Sequence, residues 1–573
     1  MRRVLALLPL FLAACTTTPR PATPPVAATR EVQILAINDF HGNLEPPGLT
    51  YEGAKGITPV GGAAYLATVL KQSRTSASIA VAAGDLISAS PLTSSLFYDE
   101  PTIEALGDAG LAVASIGNHE FDRGTGELKR MQAGGCIPNP PSEARKSCLF
   151  GPFKGAGFEY LAANVVNADG STLFPATTVR DVGGIKVGFI GETLKETKQL
   201  VSPAGVAGVA FTDEAATANA LVPALKAQGA QVIVLLIHQG GAIDGQYDDQ
   251  PCPGLTGDIL PILDKLSPDI PVVISGHTHN AYICRRPMAG GGTRLLTSAG
   301  KYGALVTDIR LTLGSNGKLV SDKAAFIEVQ GEAIAGKKPV PLNPNVPVFA
   351  ADPKVAAMVK RYHDAAASTA NRPVGHISAT VPKRDGLMSP ASALISDGQL
   401  FVAKASDKGA ADFALMNPGG ARTDLVPGEG GLVTYGMVFA MQPFANALVT
   451  KTFTGAQVKA VLEQAFPATS VVNVLMPSAN FSYAFDRSKT EGQRIVWMKL
   501  DGKPLDPAKR YRVTINNFLA SGGDGFTRLI DGTDPVDGGL DVKATEAWLA
   551  TNPAPPKAGR VIDLTPKDWK PAT

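Results

Sequence analysis

The chain has almost no excess charge of either sign. Its formal net charge is +2 over 573 residues, and only 18% of them are charged. That balance argues against a nucleic-acid polymer or a polybasic membrane surface as partner. Long apolar runs are also missing. The run Val4–Ala14, after Arg2 and Arg3, is shorter than the roughly 18–20 residues that span a bilayer, and has the form of an export signal. Cysteine is scarce, with five in all, and no CxxC pair occurs, which weighs against a thiolate-held metal. No internal repeat is found. Histidine is scarce too, with seven, yet its placement is not scattered.

What is abundant is glycine (60) and proline (44), which with so little charge suggests a loop-rich α/β protein rather than disorder. The length implies two domains plus connectors. Short Val/Ile-rich runs predict strands at Val32–Asn38, Ile79–Ala83, Ala112–Ile116, Val187–Ile190, Val232–Ile237 and Val272–Ser275. Helical periods appear at Gly62–Ser73, Thr102–Ala109, Asp213–Ala227 and Asp258–Leu266. Such alternation argues a layered α/β domain. Pro341–Phe349 reads as a linker. Asp352-Pro353 then starts a bridging helix to about Ala367, Asp as N-cap and Pro at the first helical position. From about Asn371 a second α/β unit follows, with strands expected at Phe413–Met416, Ala447–Phe453, Arg494–Leu500 and Arg510–Ile515. Leu564–Thr573 is expected to fray.

Five of the histidines stand just after apolar runs, beside carboxylates and amides: Asp39-Phe40-His41-Gly42-Asn43, Gly84-Asp85, Gly117-Asn118-His119-Glu120-Phe121-Asp122, His238 and Gly276-His277-Thr278-His279. Open α/β sheets place their sites at such strand ends. Asp39 and His41, like His277 and His279, are two apart, and on an extended segment both members of a pair point the same way. Asp85 is placed to bridge two cations. The donors suit Zn, Mn, Fe or Co, with Mg also open. Two divalent ions sharing one carboxylate would make hydroxide at neutral pH for attack on phosphorus or a similar centre.

Here the chain resembles the 5′-nucleotidase family of calcineurin-like metallophosphoesterases, in particular the bacterial periplasmic 5′-nucleotidase/UDP-sugar hydrolases. The motifs occur in family order over about three hundred residues. The resemblance implies a four-layer α/β/β/α domain at 31–340, a linker and bridging helix at 341–370, and a C-terminal α/β substrate-binding domain at 371–565. It implies Asp39, His41 and His279 on one metal, Asn118, His238 and His277 on the other, and Asp85 between them. His119 matches the catalytic histidine, oriented by Asp122; a helix N-cap is the plainer role for Asp122. Further along, Asn417-Pro418-Gly419-Gly420-Ala421-Arg422, Gln442-Pro443-Phe444-Ala445-Asn446 and Asn517-Phe518 through Asp524-Gly525-Phe526 resemble the family's substrate domain. By that resemblance Phe444 and Phe518 sandwich a nucleobase, Asp524 binds ribose hydroxyls, Asn417 and Asn446 contact the base, and Arg422 the ribose or phosphate. The chain departs from the family at Ser392–Asp397, expected ahead of a helix, and at Ala479. Arg384 is the nearest candidate for a second phosphate-binding arginine.

The implied activity is dimetal hydrolysis of nucleoside 5′-monophosphates, with UDP-sugars or other nucleotides as further substrates. Alternatives on the same scaffold are a 2′,3′-cyclic nucleotide phosphodiesterase or a thiosulfohydrolase, and outside it a non-catalytic nucleotide-binding surface lipoprotein. Leu12-Ala13-Ala14-Cys15 resembles a bacterial lipobox, with 1–14 the signal peptide, Cys15 lipidated and 15–30 a Pro/Thr-rich tether. The membrane is then met through the anchor alone, on a periplasmic face. Thr16 favours the outer membrane. The remaining cysteines of an exported chain suggest two disulfides. Three connectivities are open; Cys136–Cys148, closing a Pro-rich loop, with Cys252–Cys284 is the pairing expected.

Overall fold

The computed structural model describes residues 29–138, 145–249, 252–335, 338–444, 446–466 and 472–569. The expected export signal, Cys15 and almost all of the expected tether lie outside the described residues. No described helix is long and apolar enough to cross a membrane.

The N-terminal part is built on two six-stranded sheets packed face to face. The first runs, edge to edge, Leu319–Glu328, Leu305–Leu313, Arg30–Ile37, Ser78–Ala83, Leu111–Ser115 and Glu159–Leu161. The second runs Ala281–Pro287, Thr293–Ala299, Val272–Ser275, Val232–His238, Ile185–Thr193 and Thr177–Val182. The central strands are parallel; antiparallel pairs lie at both edges of the second sheet and at the Leu319–Glu328 edge of the first, whose other edge, Glu159–Leu161, is paired in parallel. The two-residue period of a strand sorts the side chains. Val32, Ile34 and Ala36 point between the sheets, against Phe189, Val234 and Val272. Leu35 and Ile37 point outward, under helices Ala63–Gln72 and Glu100–Asp108. Helices Glu214–Ala227 and Ile259–Lys265 cover the second sheet, where Val222, Leu225 and Leu263 meet Ile233 and Leu235. This is the expected α/β/β/α order, and each fully buried aliphatic side chain contributes about 1.5–3 kcal/mol to it.

Not foreseen were the strands between Ala281 and Glu328 and a hairpin, Leu49–Gly53 with Gly56–Val60. Charges such as Arg285, Arg286, Asp322 and Lys323 break their apolar runs, as befits strands near a sheet edge.

The bridging helix runs Pro353–Ala370, three residues beyond expectation. The Asp352 side chain accepts from the Lys354 and Val355 amides at 3.1 Å each, and Lys71 pairs with it at 2.6 Å. Val355, Met358, Tyr362 and Ala366 recur at helical spacing and are buried. They seat the helix on Ala63–Gln72, Leu92–Ser95 and Glu100–Asp108 on one side and on Tyr435–Met441 of the C-terminal unit on the other.

The C-terminal unit holds a five-stranded sheet ordered Met476–Pro477, Phe413–Met416, Arg510–Asn516, Ala447–Thr454, Thr533–Leu540, and a four-stranded sheet around Phe481–Phe485. Ser392–Asp397 does not precede a helix; it lies inside helix Pro390–Ala403, which starts at the N-cap Ser389. Asp397 there pairs with Arg560 at 2.7 Å and accepts the Ala479 amide at 2.8 Å, so the two departures from the family touch one another. The chain after Leu564 is tied down as far as Trp569: the Leu564 amide donates to the Phe485 carbonyl at 2.8 Å, and Arg487 lies 4.8 Å over the Trp569 ring. Disulfides join Cys136 to Cys148 and Cys252 to Cys284.

Candidate metal centre and adjoining cleft

Parallel strands from both sheets end at one place. Arg30–Ile37 delivers Asn38 and Asp39, Ser78–Ala83 delivers Asp85, Val232–His238 ends in His238, and Val272–Ser275 leads into His277. Close approach of these loops requires glycine at Gly117, where a Cβ would lie 2.2 Å from Asp85 Oδ1. The paired residues do not use extended geometry. Asp39 and His41 have φ of 49° and 46°, Asp85 50°, and His277 and His279 72° and 60°. Left-handed turns, costly for residues with a Cβ, aim these side chains inward. The i, i+2 spacing therefore converges through tight turns, not along a strand.

Two donor groups result. His41 Nε2 lies 3.9 Å from Asp39 Oδ1, and His279 Nε2 lies 3.4 Å from that oxygen and 3.1 Å from His41 Nε2. On the other side His238 Nε2 lies 3.0 Å from Asp85 Oδ2, and His277 Nδ1 3.1 Å from Asn118 Oδ1. Asp85 stands between the groups, its Oδ2 3.6 Å from His41 Nε2. His41 Nδ1 donates to the Ser88 carbonyl at 2.9 Å and His238 Nδ1 to the Ala83 carbonyl at 2.8 Å, which turns each Nε2 inward.

The donor set fits divalent ions. His238 Nε2 is fully buried and, among the described residues, makes no well-aligned hydrogen bond, although Asp85 Oδ2 lies 3.0 Å away. Burial favours protonated Asp39 and Asp85, but the surrounding histidines outweigh it and hold both carboxyls below the usual range. Burial drives His41 well below its ordinary value and, with the His238 charge, holds His277 down to about 4. Burial also pulls on His238, but Asp85 wins and raises it to about 10. A cation shared by His238 and Asp85 would substitute for that proton. Metal ligands must be deprotonated, and the rest of the set already is.

His119 sits beside this centre. Its Nδ1 donates to Asp122 Oδ2 at 2.8 Å and its amide to Asp85 Oδ1 at 2.9 Å. Burial lowers its pKa, yet the charges of Asp122 and Asp85 bring it above the ordinary histidine value. Asp122 is not the helix N-cap; Arg123 occupies that position before Gly124–Ala133, and the Asp122 carboxylate turns to His119 instead.

Two positioning residues in the same motifs escaped the sequence reading. Glu120 is buried and accepts the amides of Asp85, Leu86, Ile87 and Gly117 at 2.6–3.3 Å, binding one ligand loop to another. Asn38 donates to Asp39 Oδ2 and the Gly300 carbonyl at 2.7 Å each and accepts the Ala299 amide at 2.7 Å. Both were legible as polar residues inside motifs, but only their neighbours reveal what they hold.

A cleft between the two units opens onto the centre. Asn118, His119 and His277 form one end, and Asn417, Arg422, Phe444, Asn446, Phe518 and Asp524 all lie on the facing wall. The Phe444 ring stacks 5.9 Å from His119 with 18° between planes, and Arg422 lies 5.7 Å over Phe444. Asn417 Nδ2 donates to Asp524 Oδ2 at 2.6 Å. Outside the cleft lining, Lys383 is the neighbour of Arg384 in the chain; burial and then the charges of Arg422, Lys301 and Arg384 push it down to about 8. Leu200, Val201, Ser202 and Asn516 also line the cleft and were not anticipated.

Residues 32–281 match the calcineurin-like phosphoesterase family and residues 366–531 the 5′-nucleotidase C-terminal domain. Among curated relatives, endonuclease YhcR of Bacillus subtilis is 28% identical over 92% of this chain and 41% of its own length. Cell wall protein Lmo0130 of Listeria monocytogenes is 29% identical over 89% of this chain and 66% of its own. The chain thus spans less than two thirds of either relative. A solved 5′-nucleotidase precursor from Thermus thermophilus superposes with a TM-score of 0.74 at 25% identity, covering 93% of this chain and 99% of that one. The chain belongs to the calcineurin-like phosphoesterases that carry a 5′-nucleotidase C-terminal domain.

Proposed function

We propose that this chain hydrolyses nucleoside 5′-monophosphates to nucleoside and phosphate, using two divalent ions held by Asp39, His41 and His279, by Asn118, His238 and His277, and by Asp85 between them. UDP-sugars and other nucleotides are further candidates for the same cleft. The cleft itself carries the reading: one space has the metal-type donors and His119 at one end and two aromatic rings with Asp524 on the facing wall.

Divalent ions bound there supply Lewis acidity and water activation at neutral pH. The chain's own residues do the rest. Arg422 and Lys301 place positive charge where phosphate oxygens enter. Asp122 keeps Nδ1 of His119 occupied, so that Nε2 gives its proton to the departing 5′ oxygen. Phe444 and Phe518 offer π-faces to the base, and Asp524 accepts from ribose hydroxyls. The same reading places the protein outside the inner membrane, anchored through Cys15.

The test is phosphate release by the purified, lipid-free chain, chelated and then resupplied with Mn or Zn. Metal-dependent release from AMP well above an aryl phosphate is the expected result. Cleavage confined to 2′,3′-cyclic AMP, thiosulfate conjugates or a polynucleotide would replace the nucleotidase reading with that chemistry. Because stacking on one aromatic contributes about 1–3 kcal/mol, Phe518→Ala should lower kcat/KM for AMP roughly 5- to 150-fold and leave the aryl phosphate alone. Equal losses on both substrates would remove Phe518 from the base slot.

A further inference from the structure

We infer that the segment Thr197–Gly205 of the N-terminal sandwich is the second wall of the nucleoside slot, with Leu200 as its specificity-determining residue; the inference rests on the nucleotidase reading. Leu200, Val201 and Ser202 line the same cleft as Phe518 and Asp524, although they belong to the other structural unit. The short helix Thr197–Leu200 packs against the turn Gly523–Gly525. That turn holds Asp524 at φ 54° and lies directly on Phe518, since a Cβ on Gly523 would come within 2.5 Å of the ring. A shift of the wall is therefore felt by both groups assigned to the nucleoside.

The other end of the segment is tied to the turn bearing His119. The Thr125 amide donates to the Gly205 carbonyl at 3.2 Å, and Gly205 lies so close to the Phe121 carbonyl that a Cβ would stand 2.5 Å from it. Val201, 2% exposed, is buried in the same core as Phe121 and Leu128, with Leu200 packed against that core. The Ser202 carbonyl accepts the Gly205 amide at 2.8 Å and closes the turn. The segment is thus a fixed extension of the catalytic motif that reaches the nucleoside slot. Of the segment, the apolar Leu200 and Val201 and the polar Ser202 line the cleft. Such a surface accepts the face or edge of a base or sugar. A phosphate ester without a nucleoside never meets it.

The experiment compares metal-loaded wild type, Leu200→Trp and Leu200→Ala by calorimetric titration with adenosine and by kcat/KM for AMP and an aryl phosphate. Lys129→Ala, exposed on helix Gly124–Ala133 outside the segment, is the control. Leu200→Trp should weaken adenosine binding and kcat/KM for AMP by about tenfold or more, with the aryl phosphate within about twofold of wild type. Should Leu200→Trp misfold, Leu200→Ala carries the test through a change in AMP against aryl phosphate preference. Unchanged adenosine affinity in the variants, or equal loss on both esters, would overturn the wall and leave only a packing contact between the units. A wild type that neither binds adenosine nor prefers AMP would overturn the nucleotidase reading itself, and the wall with it.

Discussion

Exchange of His119 for alanine should lower kcat on AMP by about 10²–10⁴-fold, the usual range for a lost general acid, while the protein keeps its metal ions. The imidazole is fixed from two sides, by Asp122 at its Nδ1 and through its own amide by Asp85. Its ring faces the cleft against Phe444, between the donor groups and the aromatic wall. The negative charges of Asp122 and Asp85 outweigh burial and raise its pKa above the ordinary histidine value, the direction that favours a proton donor. The alkoxide of a nucleoside is a poor leaving group and depends on that proton; a nitrophenolate does not. The loss should therefore be much smaller on nitrophenyl phosphate than on AMP. Asp122→Asn should follow the same pattern with a smaller effect, since the ring stays but its orientation and charge are less well held. Elemental analysis decides the alternative. His119 lies within reach of Asp85 and His41, so loss of both metals in His119→Ala would move it into the ligand set.

Asp85→Asn should have the second large effect, on the metals themselves. Asp85 is the carboxylate that stands against both donor groups, 3.0 Å from His238 Nε2 and 3.6 Å from His41 Nε2. An amide of the same shape offers one weak oxygen donor where the carboxylate offers two charged ones, and leaves the buried histidines without their counter-charge. Ions present at a thousandfold their dissociation constant stabilise a folded protein by about 4 kcal/mol, which corresponds to roughly 6 °C in Tm for a domain of this size. Wild type should lose that increment on chelation and recover it when Mn or Zn is returned. Asp85→Asn should show little of it at any metal concentration, together with phosphate release at the level of the chelated wild type. A variant that binds two ions with unchanged Tm would remove Asp85 from the bridging position.

Much of this site could be read before any coordinates. Buried parallel strands are short apolar runs, and polar residues that break off such runs fall at sheet ends by necessity. That is why Asp39, Asp85, His238 and His277 stood out. Asp352-Pro353 likewise announced a helix start, because capping chemistry is local: a carboxylate two or three residues ahead of free amides, and a proline where no amide is needed. Local chemistry also explains what was misjudged. An i, i+2 spacing predicts an extended pair, whereas Asp39, His41, His277 and His279 occupy left-handed turns that only the surrounding loops can enforce.

The sequence alone determined the donor types, their order and the two-part organisation, since each is written in a few adjacent residues. The tertiary structure decided which donors share an oxygen, that Glu120 ties the Asp85 loop to Gly117, and that Asp122 serves His119 rather than a helix. It alone brought Leu200 beside Asp524. Those relations join residues far apart in the chain, and their energy comes from packing and from burial of unlike groups against each other, which no local pattern of residues encodes.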